Sequence, residues 1–490
     1  MRYPSFSFNR LSLVATLLPI FLGLGSLLAS NSSYALDLDW SGQFRSEANW
    51  IFGYGLGGAT NATNPNSGYT IPGTGQSDAN FQSLFLRLRP KVIVNDNISI
   101  KSELWAGDPI YGFFGSAKPA ASATDQLQYY SNQSRGGNFS AQRVYAEFLS
   151  DIGTVVVGRA PLHWGLGMMW NSQSDNLWDR YPTTGDTFRL VSKLGAFTFI
   201  PSFIVYSRGD AVMESGGAHE YSIALKYENP EEDFEAGVNL VRRLVSDGYE
   251  SPLTNGQGGA TLLTWDLYGR KRWGKLNVGI EVPIQSGDVS GASASLVAGA
   301  LEADWKATDH FEINLRGGFA PGQPSSAGNP STYNAFFFHP DYRLGLILFN
   351  YQLANFASDN NTGAPQGSPF DAPITNAKYI TAGAKYSLEK WDFRGKMIFA
   401  LADQTARAGQ KFMNSWTREM VDNVSGVDQE SYMGTELDLG VSFKWDDALT
   451  FHADGGWFIP GQFYAFSNNP ALTNPTSSAL AASLRVGVNF

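Results

Sequence analysis

The chain has 490 residues, 35 Lys and Arg against 45 Asp and Glu, a formal net charge of −10 and no cysteine. Acidity of that size argues against nucleic acid or an anionic membrane surface as partner, and the lack of cysteine excludes a disulfide scaffold. A chain this long ordinarily divides into several soluble domains, yet no Pro/Ser-rich linker or composition shift divides this one, and one large closed sheet accommodates the length.

The N-terminus carries Arg2 and Arg10, an apolar run from Leu11 to Ala29, and the small-x-Ala site Ser33-Tyr34-Ala35. That layout predicts a secretory signal over 1–35, cleaved after Ala35. The mature chain from 36 to 490 then carries a net charge of about −12, since the segment removes two arginines and no acid. No later apolar run is long enough for a spanning helix, so any membrane passage is by strands.

Strands announce themselves by alternation. Leu38, Trp40, Gly42, Phe44 and Ala48 share one face, opposite Asp39, Ser41, Gln43, Arg45, Glu47 and Asn49. Leu84, Leu86, Leu88 and Val92 then oppose Arg87, Arg89 and Lys91. After the turn Asn95-Asp96-Asn97, Ile98, Ile100 and Leu104 oppose Ser99, Lys101 and Glu103. Val144, Ala146 and Phe148 oppose Arg143, Tyr145 and Glu147, and the pattern returns at 221–228, 263–272, 311–316, 391–396 and 437–445.

Connections alternate as well. Short ones fall at 95–97, 151–153, 195, 229–233, 273–275, 307–309, 389–390 and 446–448. Long ones fall at 53–80, 107–138, 160–185, 246–258, 320–377, 403–431 and 460–476, with middling ones at 207–217 and 285–290. Short turns at one end and long loops at the other are the plan of an outer-membrane barrel. The fold expected is therefore all-β, a transmembrane antiparallel up-and-down β-barrel of 18 strands. The apolar segment 341–356 would make the count odd, so it is placed inside the loop 320–377, covering or entering the pore. The last strand alternates Leu480, Ala482, Leu484, Val486 and Val488 with Ser483, Arg485 and Asn489, and ends on Phe490. A terminal aromatic on such a strand is the assembly signal of outer-membrane barrels, which implies lipids and the barrel-assembly machinery as partners.

Eighteen strands enclose more volume than side chains fill, so the default interior is an aqueous channel. The expected pore-lining residues are Arg45, Arg87, Arg89, Lys91, Arg143, Arg189, Arg270, Arg316, Arg394 and Arg485, mixed with Glu103, Glu147, Asp266, Glu436 and Asp438. Two readings stand: cross-strand ion pairs that stiffen the wall, or a basic track selecting small polar or anionic solutes, saccharides among them. The loop 160–185 follows the fifth strand, the position from which general porins fold a loop inward, and that resemblance makes it the expected constriction, with Trp164, Trp170, Trp178, Asp179 and Arg180. Its tryptophans either form a stacking path or pack the loop and the interface.

Tyr333-Asn334-Ala335-Phe336 with His339, Tyr342 and Gly345 resembles the loop motif before a late strand of alginate-export-type barrels. Gly434-Thr435-Glu436-Leu437-Asp438-Leu439, followed by Gly455, Pro460 and Gly461, is similar to their closing strands. The resemblance implies an 18-stranded barrel with an arginine-rich lumen passing an anionic polysaccharide; here acids accompany the arginines throughout.

Catalysis has few candidates. His452 and Asp454 share a strand face, but no serine stands in a nucleophile elbow. Gly53 to Gly58 fits a GxGxxG spacing without a following helix. Asp359 to Gly363 offers oxygens without the terminal acid of a calcium loop. No enzyme, cofactor or metal is expected. The other function class left open is a structural or adhesive barrel plugged by its own loops, and oligomeric state is unreadable.

Overall fold

The computed structural model describes residues 37–56, 78–107, 139–172, 178–207, 217–246, 258–351, 353, 372–414, 419–468, 470 and 476–490. The signal segment, the end of the Gly53–Gly58 run and the Asp359–Gly363 candidate lie outside the described residues.

The strands are β1 (Asp37–Phe52), β2 (Ala79–Asn95), β3 (Ile98–Gly107), β4 (Phe139–Ser150), β5 (Gly153–Pro161), β6 (Thr184–Leu194), β7 (Phe197–Ser207), β8 (Ala218–Asn229), β9 (Phe234–Val245), β10 (Ala260–Trp273) and β11 (Leu276–Val289). They continue as β12 (Ala292–Val297), β13 (Gly299–Lys306), β14 (Phe311–Ala320), β15 (Thr332–Tyr333), β16 (Ala377–Leu388), β17 (Trp391–Ala402), β18 (Lys411–Asn414), β19 (Glu419–Asp422), β20 (Tyr432–Lys444), β21 (Leu449–Pro460) and β22 (Ala479–Asn489). Each wall strand pairs antiparallel with the next, and β22 returns to β1 from Gln43↔Asn489 to Phe52↔Leu480, closing the sheet. The terminal Phe490 completes the seam by exchanging two backbone hydrogen bonds with Gly42.

The wall is a closed antiparallel barrel of 18 strands. β12 and β13 are two halves of one strand, since both pair with β11. The ladder breaks where Ala298 donates to the carbonyl of Pro283, a residue with no N–H to return. β15 lies alongside β12, and β18–β19 form a separate hairpin on the long-loop side. One expected connection is corrected. Residues 285–289 are not a loop but the end of β11, paired to both β10 and β12, and the chain turns at Ser290–Gly291.

Burial is inverted relative to a soluble sandwich. Arg45, Glu47, Arg87 and Glu103 are buried, while Phe188, Leu194, Ile380 and Leu439 stand more than half exposed on the outer face. Trp40, Trp273, Trp305, Trp391 and Trp445 are also exposed and lie within a few residues of the short-turn end. An apolar outer band edged by aromatics at that end fits a wall bathed in lipid. The polar partners of each alternation then face the lumen.

Candidate functional site

Two loops enter the lumen through their described residues: loop 3 (162–172 and 178–183, after β5) and loop 7 (321–351, 353 and 372–376, after β14). Loop 3 pins itself by packing. Leu162, Trp164 and Trp170 join Ile204, Val241 and Tyr268 in a buried cluster, with the Trp164 ring edge-on to Tyr268 at 6.3 Å. Loop 7 contributes Phe336, Phe338, Tyr342, Leu344, Ile347, Leu348 and Tyr351 to the main core. The Glu436 carboxyl on β20 accepts the backbone N–H groups of Leu346 and Ile347 at 2.8 Å each and of Leu348 at 2.6 Å. A Cβ at Gly345 would sit 2.6 Å from Glu436 Oε2, so the missing side chain is what allows this approach. Asp438 takes Leu346 N–H at 3.1 Å and faces Lys396 at 3.6 Å, and the Lys396 ammonium donates to the Leu344 carbonyl.

The two loops meet at a charged knot. Arg180 of loop 3 pairs with Glu47 at 2.7 Å, and Arg45 pairs with Glu47 at 3.2 Å while donating to the Asp179 carbonyl at 2.8 Å. Asp341 of loop 7 accepts the backbone N–H groups of Arg180 and Tyr181 at 2.6 to 3.1 Å. Arg343 bridges Asp179 at 2.7 Å and Asp341 at 3.6 Å. Burial would raise the Asp341 carboxyl, but Arg343, His339 and the two N–H donors outweigh it and hold it below the usual range. Burial pushes Asp179 up to about 6 against the pull of Arg343. Burial also pushes His339, whose Nδ1 accepts the Asp341 N–H, down to about 4.

Two cavities flank this septum. One, of about 440 Å³, opens toward the short turns between Trp178, Arg180, Arg343 and the wall residues Lys385, Arg394, Lys396 and Arg485. The other, of about 450 Å³, lies toward the long loops between Trp105, Gln142, Tyr206 and His339. Arg180 is the one described residue that lines both.

The remaining expected residues fall into smaller groups. Glu103 holds Arg89 and Arg143 at 3.0 Å and Arg87 at 3.5 Å; Arg143 also donates to the Ser172 carbonyl of loop 3, and Arg45 and Arg87 lie over the Phe85 ring. Asp454 holds Arg394 at 2.9 Å and Arg485 at 2.5 Å, and Arg485 stacks on Trp178 with 4.6 Å to the ring centroid. Arg316 pairs with Glu302 at 3.4 Å and Asp304 at 2.9 Å, Arg270 stands 3.9 Å from Glu235, and Lys101 holds Glu147 at 2.8 Å. Arg189 donates to the Pro161 carbonyl at 3.0 Å, and Lys91 stands in register between Asp39 and Lys101. Asp266 is fully buried on β10 beside Glu281 of β11.

Sequence reading missed three residues of the knot and its fastening: Asp341, Arg343 and Glu281. A signal for the first two was present, because Asp341-x-Arg343 interrupts an otherwise apolar stretch. Of the loop-3 tryptophans, Trp164 and Trp170 are packing residues, and Trp178 faces the cavity. Catalysis at His452 would need a serine or an acid pair beside it. Ser442 Oγ lies 2.9 Å from His452 Nδ1 and accepts from Arg394 at 2.7 Å, which leaves its hydroxyl proton for the imidazole. Asp454 is engaged by two arginines rather than by the imidazole, so no acid–base–nucleophile relay is assembled.

The fold and the lumen together define the class: an outer-membrane-type barrel whose bore is narrowed by inward loops. No family model matches the sequence, and no curated protein is similar to it. Solved structures are. OccAB3 of Acinetobacter baumannii is 10% identical, over 93% of this chain and 99% of that one, with a TM-score of 0.50. OccK2 (OpdF) of Pseudomonas aeruginosa, solved in complex with glucuronate, is 9% identical over 93% and 98%, also with a TM-score of 0.50. At such identities the likeness is one of fold.

Proposed function

We propose that the chain is an outer-membrane channel of porin type for small polar or anionic solutes, saccharide acids among them. One observation carries the reading. The cavity on the short-turn side is lined by six cationic side chains, Arg180, Arg343, Lys385, Arg394, Lys396 and Arg485, against four carboxylates, Glu47, Asp341, Asp438 and Asp454. A water-filled bore with surplus positive charge and low-dielectric walls concentrates anions. Trp178 adds an aromatic surface in the same cavity, a surface suited to a sugar ring.

In this reading 1–35 is a cleaved export signal, the barrel from 36 to 490 sits among outer-membrane lipids after delivery to the assembly machinery, and the channel performs no catalytic step. The alginate-export resemblance fits the anionic solute class. A cavity near 440 Å³ suits a single small solute better than a polymer held in one conformation. The second reading, a structural barrel plugged by its loops, draws on the buried loop-7 core from Phe336 to Tyr351. A planar-bilayer recording of the refolded mature protein under a salt gradient decides between them. Discrete steps with an anion-selective reversal potential are expected; a correctly folded barrel that never conducts would favour the plug.

A further inference from the structure

Loop 3 is fastened to the wall where buried acceptors outnumber donors. Glu281 Oε2 accepts the N–H of Leu166 and, at 3.4 Å, that of Met168. Gly165 has φ +58° and a Cβ there would lie 2.5 Å from that same oxygen, so the turn is shaped around the carboxyl. Asp266 is offset by two residues from Glu281 in the β10–β11 register, within hydrogen-bond reach of it, and both are fully buried. Asn239 of β9 lies directly opposite Asp266 and is 1% exposed. Glu281 Oε1, both Asp266 oxygens and Asn239 Oδ1 have no hydrogen-bond partner.

The surrounding charges are engaged elsewhere. Arg270 on β10 stands near Glu235 of β9, which also holds Lys226 of β8 at 2.9 Å, and Lys226 holds Glu228 at 2.6 Å. Glu302 on β13 holds Arg316. Tyr268, opposite Glu281, packs on Trp164; His163 at the entry of loop 3 is exposed, and residues 164–172 carry no charge. Among the described residues no ion pair reaches Asp266 or Glu281. Two adjacent ionised carboxylates cut off from water are prohibitively costly, whereas one proton between them removes half the charge and supplies the missing donor.

We propose that Asp266 and Glu281 share a single proton at neutral pH, carried on Asp266, and that this proton locks loop 3 to the barrel wall. The Asp266 hydroxyl donates to Glu281 Oε1 or Asn239 Oδ1. Glu281 stays ionised and keeps the two loop N–H groups. Loss of the proton in alkali sets like charges side by side, drives the carboxyls apart and frees the turn at 165–168. Four oxygens fall short of the roughly six to eight that calcium takes, which disfavours a bound cation as the neutralising group.

The electrical readout rests on the channel reading, so the test has a second readout that does not. Wild type and Asp266→Asn are compared in bilayers from about pH 6 to about pH 10, well above the ordinary carboxylate range, and by infrared spectroscopy over the same interval. Wild type is expected to show current noise rising several-fold in alkali, together with loss of a protonated-carboxyl carbonyl band. The introduced amide is a permanent donor, so the Asp266→Asn variant is expected to lack this band's contribution and stay quiet at every pH. Should the variant fail to fold, Asp266→Ser takes its place, its hydroxyl supplying the same donor; a wild-type band left unchanged there belongs to another buried carboxyl, Glu436 among them, and overturns the proposal. The proposal is overturned by a band that neither titrates nor changes in D266N, or by alkaline noise that persists in D266N. It is overturned equally if EDTA at neutral pH raises the noise and calcium quiets it, which would assign the site to a cation. A barrel that does not conduct defeats the channel reading and leaves the infrared result to judge the proton.

Discussion

Replacing Glu436 by alanine removes the acceptor on which loop 7 hangs. Three backbone N–H groups, those of Leu346, Ile347 and Leu348, converge on this one carboxyl. Each hydrogen bond contributes about 0.5 to 1.5 kcal/mol net, a buried N–H left without an acceptor costs about 1 to 3 kcal/mol, and three to one group are not additive. Water and Asp438 recover part of the loss, so a net of about 3 kcal/mol is expected, roughly a 150-fold rise in the population of lifted loop. The chain has no cysteine, so a single Leu348→Cys substitution gives a clean reporter at a position 1% exposed. With fast reclosing, thiol labelling tracks the open population. Labelling of the introduced thiol is expected to accelerate by about two orders of magnitude in the Glu436→Ala background. An unchanged rate, with the barrel still folded, would refute the pinning of loop 7 by Glu436.

Two further outcomes follow from the same geometry. His339 is held neutral down to about pH 4, whereas an unfolded histidine takes up its proton near 6.5, so its contribution weakens the fold as pH falls through that interval. Asp179, raised to about 6, acts in the opposite sense because the folded state holds its proton more tightly. Denaturation midpoints of wild type and His339→Gln at about pH 7 and about pH 5 isolate the histidine. Wild type should lose more stability on acidification than the variant, and equal losses would contradict the buried neutral imidazole. For Phe490→Ala, refolding into detergent should proceed normally, since the Gly42 pairing uses backbone atoms. Heat-modifiable barrel in cell envelopes should fall several-fold, and undiminished insertion would remove Phe490 from the assembly signal.

Strand number and facing were legible because side-chain direction repeats every two residues, so Arg45, Glu47, Arg87 and Glu103 declared the lumen face from local pattern alone. The same pattern misplaced 285–290. Gln285 to Asp288 is polar and glycine-containing and reads as loop, yet it pairs on both sides in the sheet. The break of β12 from β13 at Ala298 was hidden because its cause, Pro283, lies on the neighbouring strand. The site was harder still. Arg180 meets Asp341 across 161 residues, and Leu166 meets Glu281 across 115. Neither contact leaves a periodic trace. The residues carrying the alginate-export resemblance turned out to be contact partners, since Gly345 sits against Glu436.

The proposed channel implies passage from one cavity to the other past Arg180, the one described residue lining both. Arg180→Ala removes that side chain and leaves Glu47 its pair with Arg45 at 3.2 Å, so the barrel should survive the change. The direct measurement is single-channel conductance and reversal potential of wild type and Arg180→Ala under one salt gradient. The account predicts a larger conductance step and a reversal potential shifted away from anion preference in the variant. Identical conductance and selectivity in the two proteins would mean that ions pass elsewhere, and the septum would not be the channel's constriction.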